Sequence, residues 1–501
     1  MTQPRESHRR IVLFGLGWMY LSAALQGVAK LVVIAILARL LTPRDFGLLG
    51  IALIFTSLAE RLGQVGVGPA LIQRETIDRD DVVTGAVLSA LSGVFLAIVL
   101  WVVAPCIAEF FREPLVSPIV RVLSLGFVID GFSVTSDSLL QRSLGFKTMM
   151  LVENVSYIVG IGCVGAFLAS IGLGVWALVV AHISMRTIRA ALLYHFAPRI
   201  AAGGRFNRER VRSLLILGGG FSAGRILNFA SLQGDNFVVG RILGIDALGL
   251  YSRAYQLMAL PAVYVAQVLE RVLFPVLAKK QSDLPKVREA FLTVLELLAL
   301  VSLPLGVFFL FAAQSIVEVV FGARWLEIAP ILALLSFGVF FRTAYKCSDT
   351  VVRSLGAVYR YALQQGIYAV CIVVGSYVGG IEGGTKGVAI GVVLAVAVNY
   401  LLMTRLSATL VSASWDDLVM AHVSGVWTSS WLVLVLSVTD TWIRSAFPEA
   451  MSQLIIYSVL SLCTCSGALL SGYILLPGRV LHTVFPYVTS LVTGRWKGAH
   501  S

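Results

Sequence analysis

ARLL at Ala38–Leu41, followed by FGL at Phe46–Leu48, is the first copy of a segment that occurs twice in the chain. A similar stretch, GRIL at Gly240–Leu243 followed by LGL at Leu248–Leu250, begins about 202 residues later. A match over a separation this long is not a local pattern, because it joins positions in the two halves of the chain. The sequence therefore predicts two homologous halves.

Further pairs of segments recur in the same order, offset by about 212 residues. They are Pro118–Gly126 with Pro330–Gly338, and Arg142–Gly145 with Arg353–Gly356. In a membrane protein, duplicated halves usually enclose a substrate site, which becomes exposed to either side in turn when one half rocks against the other. The repeat favours a transporter. The simpler interpretation is that it records ancestry and architecture alone.

The composition is that of a membrane protein, with 58% hydrophobic and 13% charged residues in a chain of 501. Apolar runs of roughly 20 residues, the length that a helix needs to cross a bilayer, occur about fourteen times by our count. We therefore predict an all-α integral membrane protein with about 14 transmembrane helices. An even number of crossings returns the chain to its starting side.

The positive charges indicate the orientation. Arg5, Arg9 and Arg10 precede the first apolar run, and by the positive-inside rule they place the N-terminus in the cytoplasm. An even number of spans then places the C-terminus there too. The net charge of +12 is explained by this topology and by contact with anionic membrane lipids, so no nucleic-acid partner is expected.

No feature of the sequence indicates catalysis. The connections between apolar runs are too short for a catalytic domain, so we predict no catalytic residues and a protein that is not an enzyme. Cys463 and Cys465 form a C-x-C pair without histidine or acidic neighbours, and they read as packing residues. Neither a metal site nor a cofactor is predicted.

Charged side chains inside the predicted spans are the main functional signal, because each costs several kcal/mol unless it faces a partner or a wet cavity. The more central cations are Lys30, Arg61, Arg225, Arg342 and Lys346. Other cations lie nearer to span ends, from which they could reach the headgroups: Arg121, Arg186, Arg189, Arg253 and Arg271.

The tenth predicted span has the clearest polar face. Arg342, Lys346, Asp349 and Arg353 follow the spacing of one helix face, which would line a cavity with net positive charge. Such a face suits a phosphate or diphosphate, which arginine can bind through two parallel hydrogen bonds. The alternative is a ladder of interhelical salt bridges. Its carboxylates would be Asp130, Asp137, Glu153 or Asp235.

A second polar face recurs in both halves. Glu153, Asn154 and Tyr157 correspond to Gln364, Gln365 and Tyr368. Amide, carboxylate and tyrosine side chains suit sugar rings, because they offer hydrogen bonds and flat apolar contact. These residues are the candidates for binding sugar, and the alternative is that they hold helices together.

Several stretches resemble a known family. They are LARLLTPRDFG at Leu37–Gly47, GVGPALIQRE at Gly66–Glu75, GLGVWALV at Gly172–Val179, and Gly240–Gly244 with Leu248–Tyr255. They are similar to the Wzx-type polysaccharide flippases, in the colanic-acid and exopolysaccharide exporter branch of the multidrug/oligosaccharidyl-lipid/polysaccharide exporter superfamily. The resemblance covers roughly residues 10–410, and beyond them it depends on the number of helices.

The resemblance implies two pseudo-symmetric six-helix lobes, at residues 1–200 and 201–411, followed by two additional transmembrane helices and a cytoplasmic tail at 412–501. It implies a multi-pass protein of the bacterial inner membrane that moves undecaprenyl-diphosphate-linked oligosaccharide repeat units to the periplasmic leaflet, for extracellular polysaccharide or lipopolysaccharide biosynthesis. The diphosphate would be held by the central cations: Lys30, Arg61, Arg225, Arg342 and Lys346. Partners would be the lipid-linked glycan, membrane lipids, and a polysaccharide polymerase and co-polymerase.

The expected mechanism is alternating access, biased by a coupling proton or sodium ion. Candidates to carry that ion are Asp130, Asp137, Asp235 and Asp349. Alternatives are an ion-coupled multidrug exporter of the same superfamily, a flippase for the peptidoglycan precursor, and a membrane polysaccharide polymerase or ligase. A multidrug exporter would favour an acidic, aromatic chamber, and a polymerase usually has a long external loop with catalytic residues.

Overall fold

The computed structural model describes residues 27–63, 67–73, 77–143, 145–197, 205–206, 211, 222–269, 273–279 and 281–475, and all regular structure within them is helical. The first helices are α1 (27–40), α2 (Pro43–Gly63), α3 (Val67–Gln73), α4 (Arg79–Phe111), α5 (Val116–Arg142), α6 (Phe146–Tyr157), a π-helical segment (Ile158–Val164), α7 (Gly165–Ser170) and α8 (Val175–Phe196). The predicted all-α membrane fold class is confirmed.

The later helices begin at residue 222. They are α9 (Ser222–Ile242), α10 (Ile245–Val268), α11 (Phe274–Lys279), α12 (Leu284–Val320), a 3-10 turn (Ala323–Trp325), α13 (Ile328–Ser336), α14 (Gly338–Ser354), α15 (Val358–Val411), α16 (Trp415–Ala446) and α17 (Ala450–Leu475).

Helix boundaries follow local chemistry. Asp78 and Asp81 form a capping box at the start of α4, in which each side chain accepts a hydrogen bond from the other residue's backbone. The helix ends at Arg112, whose φ of 57° is left-handed and stops α-helical propagation. Ser414 and Asp417 form the same capping box at the start of α16. These polar caps satisfy the first backbone N–H groups of long apolar helices.

Within the described residues, eight helices are long and apolar enough to cross a membrane, or nine if the bent pair α13–α14 counts as one span. Helix α15 is one of the eight, and its 54 residues are enough for two crossings. It reverses at Gly383 and Gly384, where Gly384 has a φ of +57°. A Cβ on Gly379 would lie 2.1 Å from the carbonyl oxygen of Gly387, so the two arms touch through their backbones. The total of about fourteen spans stays a prediction.

The chain divides into two compact units. Unit 1 contains residues up to Ile226 together with Gly244–Gly249, and unit 2 contains Leu227–Leu243 and everything from Leu250 onward. Helices α16 and α17 belong to unit 2, in which both pack on α12. The predicted lobe boundaries at 200 and 411 stay predictions.

In unit 1, the two glycines of the repeated stretch pack reciprocally. A Cβ on Gly47 in α2 would lie 2.0 Å from the carbonyl oxygen of Ile245, and one on Gly249 would lie 1.9 Å from that of Pro43. The first turn of α10 therefore lies in backbone contact with the first turn of α2. Arg44 adds ion pairs to Glu113 at 2.8 Å and Asp246 at 3.6 Å. The recurrence that identified the repeat in the sequence is thus also a close helix contact.

In unit 2, α12 and α16 pack closely at Gly425, where an added Cβ would lie 2.5 Å from the backbone of Ala299. Beside this contact, the buried Glu296 accepts a hydrogen bond of 2.8 Å from Ser424. A small residue at the crossing lets the backbones approach, and the hydroxyl provides a partner for the carboxyl group. The same packing buries apolar side chains of α12 against α14 and the second arm of α15.

Candidate functional site

Helix α14 positions the most polar buried surface of unit 2. It is bent by 47° from α13 at a break next to Phe337 and Gly338, and Arg342 follows about one turn later. Arg342 is 6% exposed and Asp349 is 4% exposed. Arg342 and Asp349 therefore both face inward, in a helix that buries polar and apolar side chains alike.

Arg342 is surrounded by tyrosines. Its Nη1 donates a hydrogen bond of 3.2 Å to the hydroxyl of Tyr368 in α15, and its Cζ lies 4.7 Å from the ring centroid of Tyr255 in α10. Throughout the part of unit 2 that the structure describes, Arg342 forms no ion pair with a carboxylate. Its charge is therefore balanced by a hydroxyl oxygen and by the negative face of an aromatic ring.

Asp235 in α9 is another buried ionisable group of unit 2, and it is 1% exposed. Its oxygens accept hydrogen bonds from the hydroxyl of Tyr251 at 2.9 Å and from the backbone N–H of Asn236 at 2.8 Å. The rings of Tyr251 and Tyr255 are 6.0 Å apart. A continuous chain of contacts, which we call the tyrosine cluster, thus joins Asp235, Tyr251, Tyr255, Arg342 and Tyr368.

The remaining charges of α14 differ in their pairing. Arg353 donates to Asp349 at 3.0 Å, so these two charges neutralise each other along the helix. Lys346 is half-buried, with its Nζ 4.7 Å from the ring centroid of Tyr345. The ring of Tyr345 in turn lies 6.1 Å from that of Tyr368. Lys346 therefore extends the tyrosine cluster, and the face keeps a net positive charge.

The amides predicted to bind sugar lie on the same helix as Tyr368. Gln365 is buried and Gln364 is half-buried, with its Oε1 accepting no hydrogen bond from any described group. Tyr368 is 1% exposed and is occupied by Arg342. Arg342, a predicted diphosphate residue, thus contacts Tyr368, a predicted sugar residue.

Unit 1 has a second polar cluster, in which charges pair directly. Arg186 in α8 forms a close ion pair with Asp130 in α5. Arg189 joins Asp137 at 3.3 Å and Glu153 at 2.8 Å. We call these residues the ion-pair cluster. Glu153 is the predicted sugar residue that it contains, while Asn154 beside it is half-buried.

Sequence reasoning placed Arg186 and Arg189 with the cations that could reach the headgroups, and it missed them as partners of the carboxylates. The signal was present, because the two arginines are three residues apart on α8 and Asp130 and Asp137 are seven residues apart on α5. Each pair therefore occupies one face of its helix. The salt-bridge ladder that the sequence analysis considered for Arg342 uses these arginines instead.

The other predicted cations belong to unit 1. Lys30 in α1 is exposed, with its Nζ 5.7 Å from the ring centroid of the half-buried Tyr157. Arg61 lies half-buried in the last turn of α2. Arg225 lies in α9, and its side chain is outside the described residues. Lys30, Tyr157 and Arg61 belong to unit 1.

No group of three or more histidine, cysteine or acidic side chains that could hold a metal ion occurs in the ranges that the structure describes. Cys463 is exposed and Cys465 is half-buried, both in α17. The hydrogen-bond donors of the tyrosine cluster are guanidinium, ammonium and phenol groups, and these groups bind anions.

Comparison with known proteins identifies the family. A family model described as "Polysaccharide biosynthesis protein" matches residues 36–330, more than half of the chain. The chain belongs to this family. The matched residues include all of α2 to α12. The predicted family resemblance is confirmed.

Similar curated proteins come from several bacteria. The chain is 26% identical to "Lipopolysaccharide biosynthesis protein WzxC" of Escherichia coli strain K12, over 66% of this chain and 67% of that protein. It is 27% identical to "Teichuronic acid biosynthesis protein TuaB" of Bacillus subtilis strain 168, over 69% and 71%. It is also 27% identical to "Succinoglycan biosynthesis transport protein ExoT" of Rhizobium meliloti strain 1021, over 65% and 66%.

Solved structures share the fold. A structure of "Lipid II flippase MurJ, inward closed conformation" matches with a TM-score of 0.71 and 15% identity, over 89% of this chain and 97% of that one. An inward-facing multidrug resistance MATE family transporter of the MOP superfamily matches with a TM-score of 0.63 and 17% identity, over 77% and 95%. The chain is therefore a multi-pass membrane protein that shares its fold with these structures.

Proposed function

We propose that this protein is a flippase that translocates undecaprenyl-diphosphate-linked oligosaccharide repeat units across the bacterial inner membrane, by alternating access, for extracellular polysaccharide or lipopolysaccharide biosynthesis. Support comes from its family, from relatives named for polysaccharide biosynthesis and transport, and from a fold shared with a lipid II flippase. These relationships favour movement of a glycan carried on a lipid.

The observation that carries the proposal is the environment of Arg342. A guanidinium that is 6% exposed in a membrane protein costs several kcal/mol unless an anion or a wet cavity faces it. Tyr255 and Tyr368 partly offset this cost, and they leave the guanidinium free of a carboxylate partner. We assign Arg342 and Lys346 to the diphosphate, which a guanidinium can bind through two parallel hydrogen bonds.

The other predicted binding residues keep supporting roles in this proposal. Lys30, Arg61 and Arg225 of unit 1 stay candidates for binding the diphosphate from the sequence alone. Sugar hydroxyls would be bound by Gln364 and Gln365, whose amides both donate and accept, and by Glu153, Asn154 and Tyr157. Tyr368 supports Arg342 and does not need to touch sugar.

We propose that a proton or sodium gradient biases the transport cycle through Asp235. Asp130, Asp137 and Asp349 each form an ion pair with an arginine. That arginine already neutralises the negative charge that would bind a coupling ion. Asp235 has a phenol and a backbone N–H as hydrogen-bond donors. Collapse of either gradient in membrane vesicles, one at a time, would test this assignment by the rate of glycan translocation.

The proposal includes an orientation with both termini in the cytoplasm, since arginines precede the first span. We also propose that the protein is a transporter without catalytic residues. After translocation, its substrate would pass to a polysaccharide polymerase and co-polymerase. Reporter fusions at each terminus would test the orientation. A fusion active only in the periplasm at either end would contradict it.

The decisive experiment is to determine which leaflet holds the lipid-linked oligosaccharide in a deletion strain. We expect it to accumulate facing the cytoplasm, and the wild-type gene to reverse this. The double substitution R342Q with K346Q should fail to reverse it at normal protein level. The matched control is R360Q, which removes an exposed cation at the start of α15 and should restore export. Complete repeat units facing the periplasm in the deletion strain would contradict the flippase assignment.

A further inference from the structure

Asp235 and Arg342 are opposite charges that lie at separate positions in one buried cluster. Both are less than 10% exposed. Tyr251 contacts the carboxylate and Tyr255 contacts the guanidinium, with their rings 6.0 Å apart. The two charges therefore interact across a pair of phenol rings rather than through a direct hydrogen bond.

This arrangement differs from the neighbouring pair on α14. Asp349 accepts a hydrogen bond of 3.0 Å from Arg353, so that guanidinium has already committed one of its donors to a carboxylate. The donors of Arg342 are committed to Tyr368 alone among the described hydrogen bonds. Because electrostatic attraction in a low-dielectric interior acts over longer distances than a hydrogen bond, Asp235 can stabilise Arg342 without occupying its donors.

We propose that Asp235 is the internal counter-charge of Arg342, and that it sets the affinity with which Arg342 binds a diphosphate. This inference rests on the proposed function, because it assumes that Arg342 meets the diphosphate. An incoming anion and the Asp235 carboxylate are both attracted to the guanidinium, and they repel each other. Binding is therefore weaker than it would be at an isolated arginine, and the diphosphate can be released after translocation.

Tyr251 has a defined part in this competition. Its hydroxyl donates a hydrogen bond of 2.9 Å to Asp235, which stabilises the carboxylate independently of Arg342. Without this donor, Asp235 depends more strongly on Arg342, and the anion should compete less well. Neutralising Asp235, by mutation or by a bound cation, should have the opposite effect.

The first test measures inorganic pyrophosphate binding to the purified full-length protein in lipid nanodiscs, by isothermal titration calorimetry. D235N should bind pyrophosphate roughly tenfold more tightly, because one negative charge is removed from the low-dielectric surroundings of Arg342. Y251F should bind roughly threefold more weakly. The matched control is E296Q, which removes a buried carboxyl group that bonds to Ser424 outside this cluster and should leave pyrophosphate binding unchanged.

The results separate this inference from the proposed function. If R342Q weakens pyrophosphate binding while D235N and Y251F both bind as the wild type does, Arg342 is an anion site and Asp235 is not its counter-charge. If R342Q also binds as the wild type does, both the diphosphate assignment and the counter-charge role are wrong. Tighter binding by D235N together with weaker binding by R342Q supports both.

A second test uses thermal unfolding and needs no ligand. D235N and R342Q should each lower the midpoint, because each leaves an uncompensated buried charge. The double variant should lose less than the sum of the two single losses. The control pair, E296Q with R342Q, should show additive losses. Additive losses for D235N with R342Q would overturn the counter-charge role.

Discussion

The arginines of the ion-pair cluster in unit 1 are paired differently from the arginine of the tyrosine cluster in unit 2. In unit 1, Arg186 and Arg189 pair directly with carboxylates on α5 and α6. In unit 2, tyrosines separate Arg342 from Asp235. A direct ion pair satisfies both partners and leaves little capacity for another ligand, whereas an arginine among phenol groups keeps donors for an anion. The two units therefore differ in how their arginines are paired.

The largest expected effect comes from reversing the charge of Arg342. In R342E, a carboxylate would face Asp235 and repel a diphosphate, so polysaccharide export should fall to the level of the deletion strain. The measurement is polymer secreted per cell, normalised to protein in the membrane. R342K keeps the charge but loses the paired donors, and should retain part of the export. Wild-type export by R342E would remove the functional distinction between the two clusters.

A smaller effect is expected from breaking the ion-pair cluster. R189Q leaves Asp137 and Glu153 without their common partner, and because these side chains are partly exposed, the expected loss of stability is about 1–3 kcal/mol. Thermal unfolding of the purified protein would measure it. The triple substitution R189Q, D137N and E153Q should recover part of the loss. If R189Q abolishes export at full stability, the unit 1 cluster has a transport role that its pairing does not reveal.

Close helix packing should matter equally in both units, because steric exclusion does not depend on charge. G249A in unit 1 and G425A in unit 2 each force a Cβ into a neighbouring backbone, and each should cost about 1–3 kcal/mol. G467A is the control, since an added Cβ there meets nothing within 4 Å. A destabilised G467A, or a G249A and G425A that unfold at the wild-type midpoint, would show that these contacts do not limit stability.

A change limited to one hydrogen bond is Y368F, which removes the hydroxyl that accepts from Arg342 and keeps the ring. The loss of one hydrogen bond to a charged group should cost about 1–3 kcal/mol in stability or affinity, and export should fall only partly. Y377F, on the same arm of α15 but exposed, is the control. Equal export by Y368F and Y377F would show that Tyr255 alone is enough to hold Arg342.

Much of the fold was predictable because membrane helices are specified locally. Long apolar runs and the repeat gave the all-helical membrane class and the family. The spacing of Arg342, Lys346, Asp349 and Arg353 correctly placed them along one face of α14. Periodicity along one helix is a short-range property, so it survives without knowledge of any neighbour.

Partner choice was not predictable in the same way. Nothing within α15 indicates that Tyr368 meets Arg342, because the two residues are brought together by the packing of separate helices. Nor does α8 specify whether Arg189 reaches the headgroups or pairs with Glu153. Each choice depends on the register between helices that are far apart in sequence.

Three properties could be read from the amino-acid sequence: the protein crosses a membrane repeatedly, it contains a repeat, and particular helix faces carry charge. The packing of helices against one another determines which of those charges form ion pairs. Among the described residues, it leaves Arg342 without a carboxylate ion pair. The physical reason is that burial of apolar helices depends on composition, which can be read along the chain. The balance of buried charges depends on distances of a few ångströms between helices, which the chain does not state.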